Sequence, residues 1–140
     1  MEFNDNKIKF LEMIQGVVTR MASNSFMLKG WAVTLVAGTF ALSAREANKL
    51  FFLIAYVPII LFWFLDSYYL QLERKYRALY SITVEKNPTD IDFKLAVLPS
   101  RQIDKTCFYQ SLFSRTEVLF YFPAALLVGM VIILSTIFSG

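Results

Sequence analysis

Along this chain the apolar positions change period several times, and the changes predict its elements. Over residues 1–22, Phe10, Ile14, Val17, Val18 and Met21 fall on one helical face, while Lys7, Lys9, Glu12 and Arg20 keep much of the remainder polar. The spacing predicts an amphipathic helix over 1–25 that lies on a membrane surface or packs on a neighbour. Ser23-Asn24-Ser25 is a run of capping residue types, so one helix is expected to stop there and another to begin. Charge is then absent from Gly30 to Ala44, and Phe26–Leu28 extends the apolar run past Lys29, which can snorkel; this is the first candidate span. Arg45-Glu46-Ala47-Asn48-Lys49 forms a polar turn. Leu50 to Leu65, uncharged and rich in aromatic residues, is the second candidate span, with a kink expected at Pro58.

A pattern with alternating steps of three and four continues beyond that span through Phe62, Leu65, Tyr69, Leu72, Tyr76 and Leu79. Glu73 and Arg77 stand at the spacing that pairs them on a helix. One long helix projecting into the cytosol is expected, stopped by Asn87-Pro88. The period becomes two at Ile91, Phe93, Leu95 and Val97, which predicts a short strand or extended segment that must find a partner. Pro99-Ser100 breaks it, an amphipathic stretch runs from Ile103 to Ser114, and Val118–Gly140 is an uncharged third span with Pro123 in its opening turns. The expected fold is therefore an all-α membrane protein. It has an N-terminal amphipathic cytosolic helix (1–25), transmembrane helices 1 and 2 (26–72), a small cytosolic helical layer with one short extended segment (73–117), and transmembrane helix 3 (118–140).

Composition sharpens this picture. The chain has 140 residues, 56% of them hydrophobic and 18% charged; a soluble domain carries roughly 45–50% apolar and about 25% charged residues. Three spans leave no room for a separate enzymatic domain. The absence of His and the single Cys107 remove His-based acid/base chemistry, Cys/His metal sites and intrachain disulfides. The expectation is a protein without catalytic residues, metal or cofactor. Twelve of the fourteen basic residues flank the spans on one side, with only Arg45 and Lys49 on the other. The asymmetry places the N-terminus and the 73–117 loop in the cytoplasm and the C-terminus outside.

Three features could carry function. Asp66 interrupts the uncharged run from Leu50 to Leu72. It either marks the interface and meets Lys29 or Arg115 of another helix, or joins Phe62 and Tyr69 at the mouth of an oligomeric pore. Arg74, Lys75 and Arg77 lie beside Tyr76 and Tyr80, and with Lys94, Arg101 and Lys105 they could neutralise phosphates while the rings stack on bases. The same residues also serve as interfacial anchors. Gly30, Thr34 and Gly38, and Ala125 and Gly129, recur every four residues, a spacing that lets helices approach closely.

The stretch Phe62-Trp63-Phe64-Leu65-Asp66-Ser67-Tyr68-Tyr69-Leu70, followed by Glu73-Arg74-Lys75-Tyr76-Arg77-Ala78-Leu79-Tyr80, resembles a signature of small multi-pass bacterial membrane proteins. Some of these act as membrane effectors in antiphage defence, and the Hailong-type channel effector is the nearest functional counterpart. The resemblance implies a homo-oligomeric pore with a cytosolic sensing layer. Its partners would be the lipid membrane, further copies of the chain, a nucleotide or short oligonucleotide ligand, and a soluble signalling enzyme encoded nearby. The alternative is a non-conducting anchor or scaffold subunit that holds a soluble partner through the 73–117 loop.

Overall fold

The computed structural model describes residues 2–46, 53–96 and 107–138. They form α1 (Glu2–Glu46), α2 (Tyr56–Glu85), a 3-10 turn (Pro88–Asp90), the short α3 (Phe108–Leu112) and α4 (Arg115–Phe138). Two helical segments, Asp5–Ser43 and Arg115–Ile137, are long and apolar enough to cross a membrane. Described residues of α2 do not reach that criterion, because the helix starts at Tyr56 and turns polar beyond Leu72. Much of the expected polar turn, together with Phe51 and Phe52 of the expected second span, lies outside the described residues.

The expected break at Ser23-Asn24-Ser25 does not occur, and α1 runs through it for 45 residues. A capping side chain ends a helix only where it takes up an orphan backbone N–H. Here Ser25 instead receives a hydrogen bond from Lys29 one turn on, at 3.2 Å, and the backbone keeps its helical partners. At 1.5 Å per residue α1 is about 67 Å long and α2 about 45 Å.

These two helices pair antiparallel, and the contacts fix their alignment from end to end. Lys7 near the start of α1 meets Val84 and Lys86 at the end of α2. Phe10 and Ile14 are buried with Ile91, and Tyr76, Leu79 and Tyr80 pack against them. Lys29 meets Asp66, and Ala32 shares a core with Ala55 and Ile59. The amphipathic face of the N-terminal stretch thus lies against α2 of its own chain. The stepped seam of α2 divides between two clusters. Tyr76 and Leu79 cover Phe10 and Ile14, Phe62 covers the Ala32–Ile59 core, and Leu65 is 41% exposed.

A break falls where Pro58 led one to expect it: residues 53–54 are helical, Ala55 is a turn, and α2 begins at Tyr56, so the helix is interrupted one turn ahead of Pro58, whose missing N–H leaves the Ile54 carbonyl without its intrahelical donor. Pro123 lies inside α4, because that helix starts at Arg115 and not at residue 118. No strand occurs among the described residues. Residues 91–96 are irregular, and Ile91, with extended backbone at φ −86° and ψ 117°, buries its side chain in the helical cluster rather than joining a sheet. Val97 and residues 103–106 lie outside the described residues; the rest of the Ile103–Ser114 stretch contains α3.

The five-residue α3 lies across the middle of α2 before the chain turns into α4. Trp63 Nε1 donates to the Leu112 carbonyl at 3.0 Å, Trp63 meets Phe113 edge-on, and Phe64 stacks on Phe108. From there α4 packs on α2 through Tyr121 and Val128, both buried in the core with Ala32 and Ile59. Tyr56 donates to the Ala125 carbonyl at 3.2 Å, and a Cβ at Gly129 would lie 3.1 Å from the Tyr56 hydroxyl. The Ala125/Gly129 pair therefore makes room for a tyrosine. A Cβ at Gly30 or Gly38 would meet nothing, and with Thr34 these residues line an outward stripe of α1.

Candidate functional site

Where the polar and apolar halves of the helical pair meet, three charged side chains converge from three helices. Lys29 of α1 is hydrogen-bonded to Asp66 of α2, to Glu117 of α4 at 3.1 Å and to Ser25 at 3.2 Å. Tyr121, one turn beyond Glu117, donates its hydroxyl to Asp66 Oδ2 at 3.0 Å. The ammonium also lies 5.8 and 5.9 Å from the ring centres of Phe120 and Tyr121, within cation–π range. Asp66 and Glu117 are 0% and 1% exposed, and the Lys29 side chain 20%.

Local sequence explains each position. Every member is an isolated charge at the edge of an apolar run, so the run that packs the helix also brings its terminal charge to one level. Asp66 is held from both sides of α2. Trp63, one turn earlier, stacks on Tyr121 at 6.3 Å, and Ser67 bonds back to the Trp63 carbonyl at 2.7 Å. The arrangement is unbalanced, with one ammonium facing two carboxylates. Asp66 Oδ1 and Glu117 Oε2 are buried without a hydrogen-bond partner.

A groove of about 660 Å³ opens beside this cluster, with Ser25, Lys29, Glu73, Arg115, Thr116 and Glu117 among its lining residues. A second, apolar crevice of about 250 Å³ separates α1 from α4 between Ala32, Val36, Phe40 and Phe120, Tyr121 and Ala124. Among the described residues no group of His, Cys, Asp or Glu is arranged to hold a metal ion.

Asp66 therefore meets Lys29, while Arg115 is exposed at the start of α4. Phe62 and Tyr69 are half-buried on α2, Phe62 in the core and Tyr69 edge-on to Tyr68. Among the described residues, the basic and aromatic side chains of the expected ligand set are engaged at several separate places. Arg74 donates to the Gln110 carbonyl at 3.2 Å and contacts Ser111 Oγ at 3.5 Å, tying α3 to α2. Arg77 pairs with Glu73 at 2.8 Å. Lys75 is half-buried, Tyr76 and Tyr80 are packed against Phe10, Ile14 and Ile91, and Lys94 pairs with its neighbour Asp92 at 3.0 Å. Arg101 and Lys105 lie outside the described residues. Sequence reasoning missed Glu117 and Tyr121. A signal was available in Glu117, a charge at the edge of the third apolar run as Lys29 and Asp66 are at the edges of theirs.

No known protein family, curated protein or solved structure matches this chain.

Proposed function

We propose that the chain is a multi-pass protein of a bacterial inner membrane. In this reading it assembles as a homo-oligomeric channel and opens when an anionic ligand, a nucleotide or short oligonucleotide, binds its cytosolic end. The observation that carries the reading is the continuity of α1 and α2. Both run unbroken from the polar end, where Lys7 meets Val84, to the apolar end, where Ala32 meets Ile59. Paired rods of this kind carry a displacement at one end to the other, which a channel sensed from the cytosol requires.

Two further features support it. Ala32, Ile59, Tyr121 and Val128 form an apolar core at this end of the protomer, and the crevice between α1 and α4 is lined by apolar side chains, so in this reading the conduction path runs between copies rather than through one. Large apolar side chains such as Trp31, Leu42, Leu61, Leu126, Met130 and Ile137 are exposed, a surface that lipid or neighbouring copies would cover. Residues 50–65 complete a third span in this reading, and the basic asymmetry sets the N-terminus inside. Opening requires that the ligand bind the open arrangement more tightly than the closed one.

Ion flux into liposomes holding the purified protein tests the reading. Lys75→Glu combined with Arg77→Glu reverses the basic cluster while sparing Arg74, which ties α3 to α2; it also breaks the Arg77–Glu73 pair, in which Glu73 is 13% exposed. Ligand-dependent flux should disappear while insertion and oligomer mass stay unchanged. Wild-type protein that never conducts with any nucleotide or oligonucleotide would favour the anchor reading.

A further inference from the structure

The charge cluster at the junction is one positive charge short, and the geometry points to what supplies it. We infer that Glu117, buried beside the Lys29–Asp66 pair, binds one exchangeable proton, taken from solvent through the groove that it lines.

Counting the groups that face the site from every element packed against it leads there. From α1 comes Lys29, with the hydroxyl of Ser25. From α2 comes Asp66; Glu73, on the groove wall, is already paired with Arg77. From α4 come Glu117 and Tyr121, while Arg115 on the groove wall is exposed. The described part of α3 brings no charged residue. If both carboxylates were ionised, the cluster would carry a net negative charge in a buried setting, where an uncompensated charge is strongly disfavoured. It would also leave Asp66 Oδ1 and Glu117 Oε2 without donors.

A single proton removes the excess charge. It forms an O–H bond on the Glu117 carboxyl, whose Oε2 is buried without a partner, and leaves Lys29 paired with Asp66. Both carboxyls accept from the same Lys29 Nζ, so the ammonium cannot neutralise two of them. A proton is favoured over a metal ion because no set of three or more His, Cys, Asp or Glu side chains is present among the described residues. Lining the groove, Glu117 gives it a route to water. The inference holds whether or not the assembly conducts.

Infrared spectroscopy of the full chain in lipid nanodiscs, with ¹³C-labelled Asp and Glu carboxyls, tests it. At neutral pH the wild type should show one protonated-carboxyl band that shifts in D₂O. The band should vanish in Glu117→Gln and in Asp66→Asn, which frees Lys29 to pair with an ionised Glu117, and it should survive in Tyr109→Phe, an exposed position outside the cluster; the amide I band of the same spectra checks that the amide variants keep their helices. Three results would overturn the inference: no protonated carboxyl at neutral pH, a band unchanged in both amide variants, or a band abolished by sodium or potassium at constant pH. The last would assign the site to a metal cation.

Discussion

Lys7 Nζ donates to the Val84 carbonyl at 2.9 Å and to that of Lys86 at 2.7 Å, so the first turns of α1 cap the last turn of α2. Those carbonyls have no intrahelical donor, and a cation is favoured beside the negative end of a helix. Replacing Lys7 with Met should raise amide exchange at residues 84–88 while costing only about 0.5–1 kcal/mol of global stability, because the contact is exposed. Unchanged exchange in that segment would show that solvent satisfies these carbonyls equally well.

At the junction the cost of a substitution depends on which charge is left behind. Lys29→Met removes the ammonium that faces Asp66 and Glu117, leaves buried negative charge unpaired, and should destabilise by about 3–5 kcal/mol. Adding Asp66→Leu and Glu117→Met to that variant should recover most of the loss, since a buried ionic cluster can be replaced by apolar packing of similar volume. Thermal unfolding in detergent, compared across the single and triple variants, measures this directly. A triple variant no more stable than Lys29→Met would mean that shape rather than charge holds the three helices together.

Gly129 and Tyr56 should be coupled energetically. A Cβ at residue 129 meets the Tyr56 hydroxyl at 3.1 Å, so Gly129→Val should cost about 1–3 kcal/mol through overpacking. In a Tyr56→Phe background, which removes the clashing oxygen, the same substitution should cost measurably less. A double-mutant cycle that returns simple additivity would place the strain elsewhere.

Ile14 is fully buried beneath Leu79, Tyr76 and Tyr80 of the same chain. Its replacement by Ala should lower protomer stability by about 2–5 kcal/mol and leave the particle mass in detergent unchanged. Loss of oligomer mass without loss of protomer stability would instead assign this stretch of the seam to contacts between copies.

Reporter fusions at residue 90 and after Gly140 should report opposite sides of the membrane, because twelve of the fourteen basic residues flank the spans on one side. Matching signals from the two positions would remove the three-span topology.

Much of the helical layout was legible in the sequence because its determinants are local. The apolar face of α1 at Phe10, Ile14 and Val17 follows from the period of 3.6, and the end of α2 at Glu85 follows from Asn87-Pro88. The Glu73–Arg77 pair follows from a spacing of four. Each is settled within one or two turns of chain.

Tertiary structure decided the rest, because the competing outcomes differ in partners far apart along the chain. Ser23-Asn24-Ser25 has the chemistry of a cap, but α2 continues alongside α1, and one unbroken helix buries more of its face than two separate ones. The alternation at Ile91–Val97 permits a strand, but no edge strand among the described residues receives it, while Phe10 and Ile14 offer Ile91 an apolar site. Asp66 was visible as an isolated charge in an apolar run. That Lys29 and Glu117, 37 and 51 residues away in sequence, close around it depends on the level at which three helices dock, and side-chain volumes along the whole length of those helices set that level.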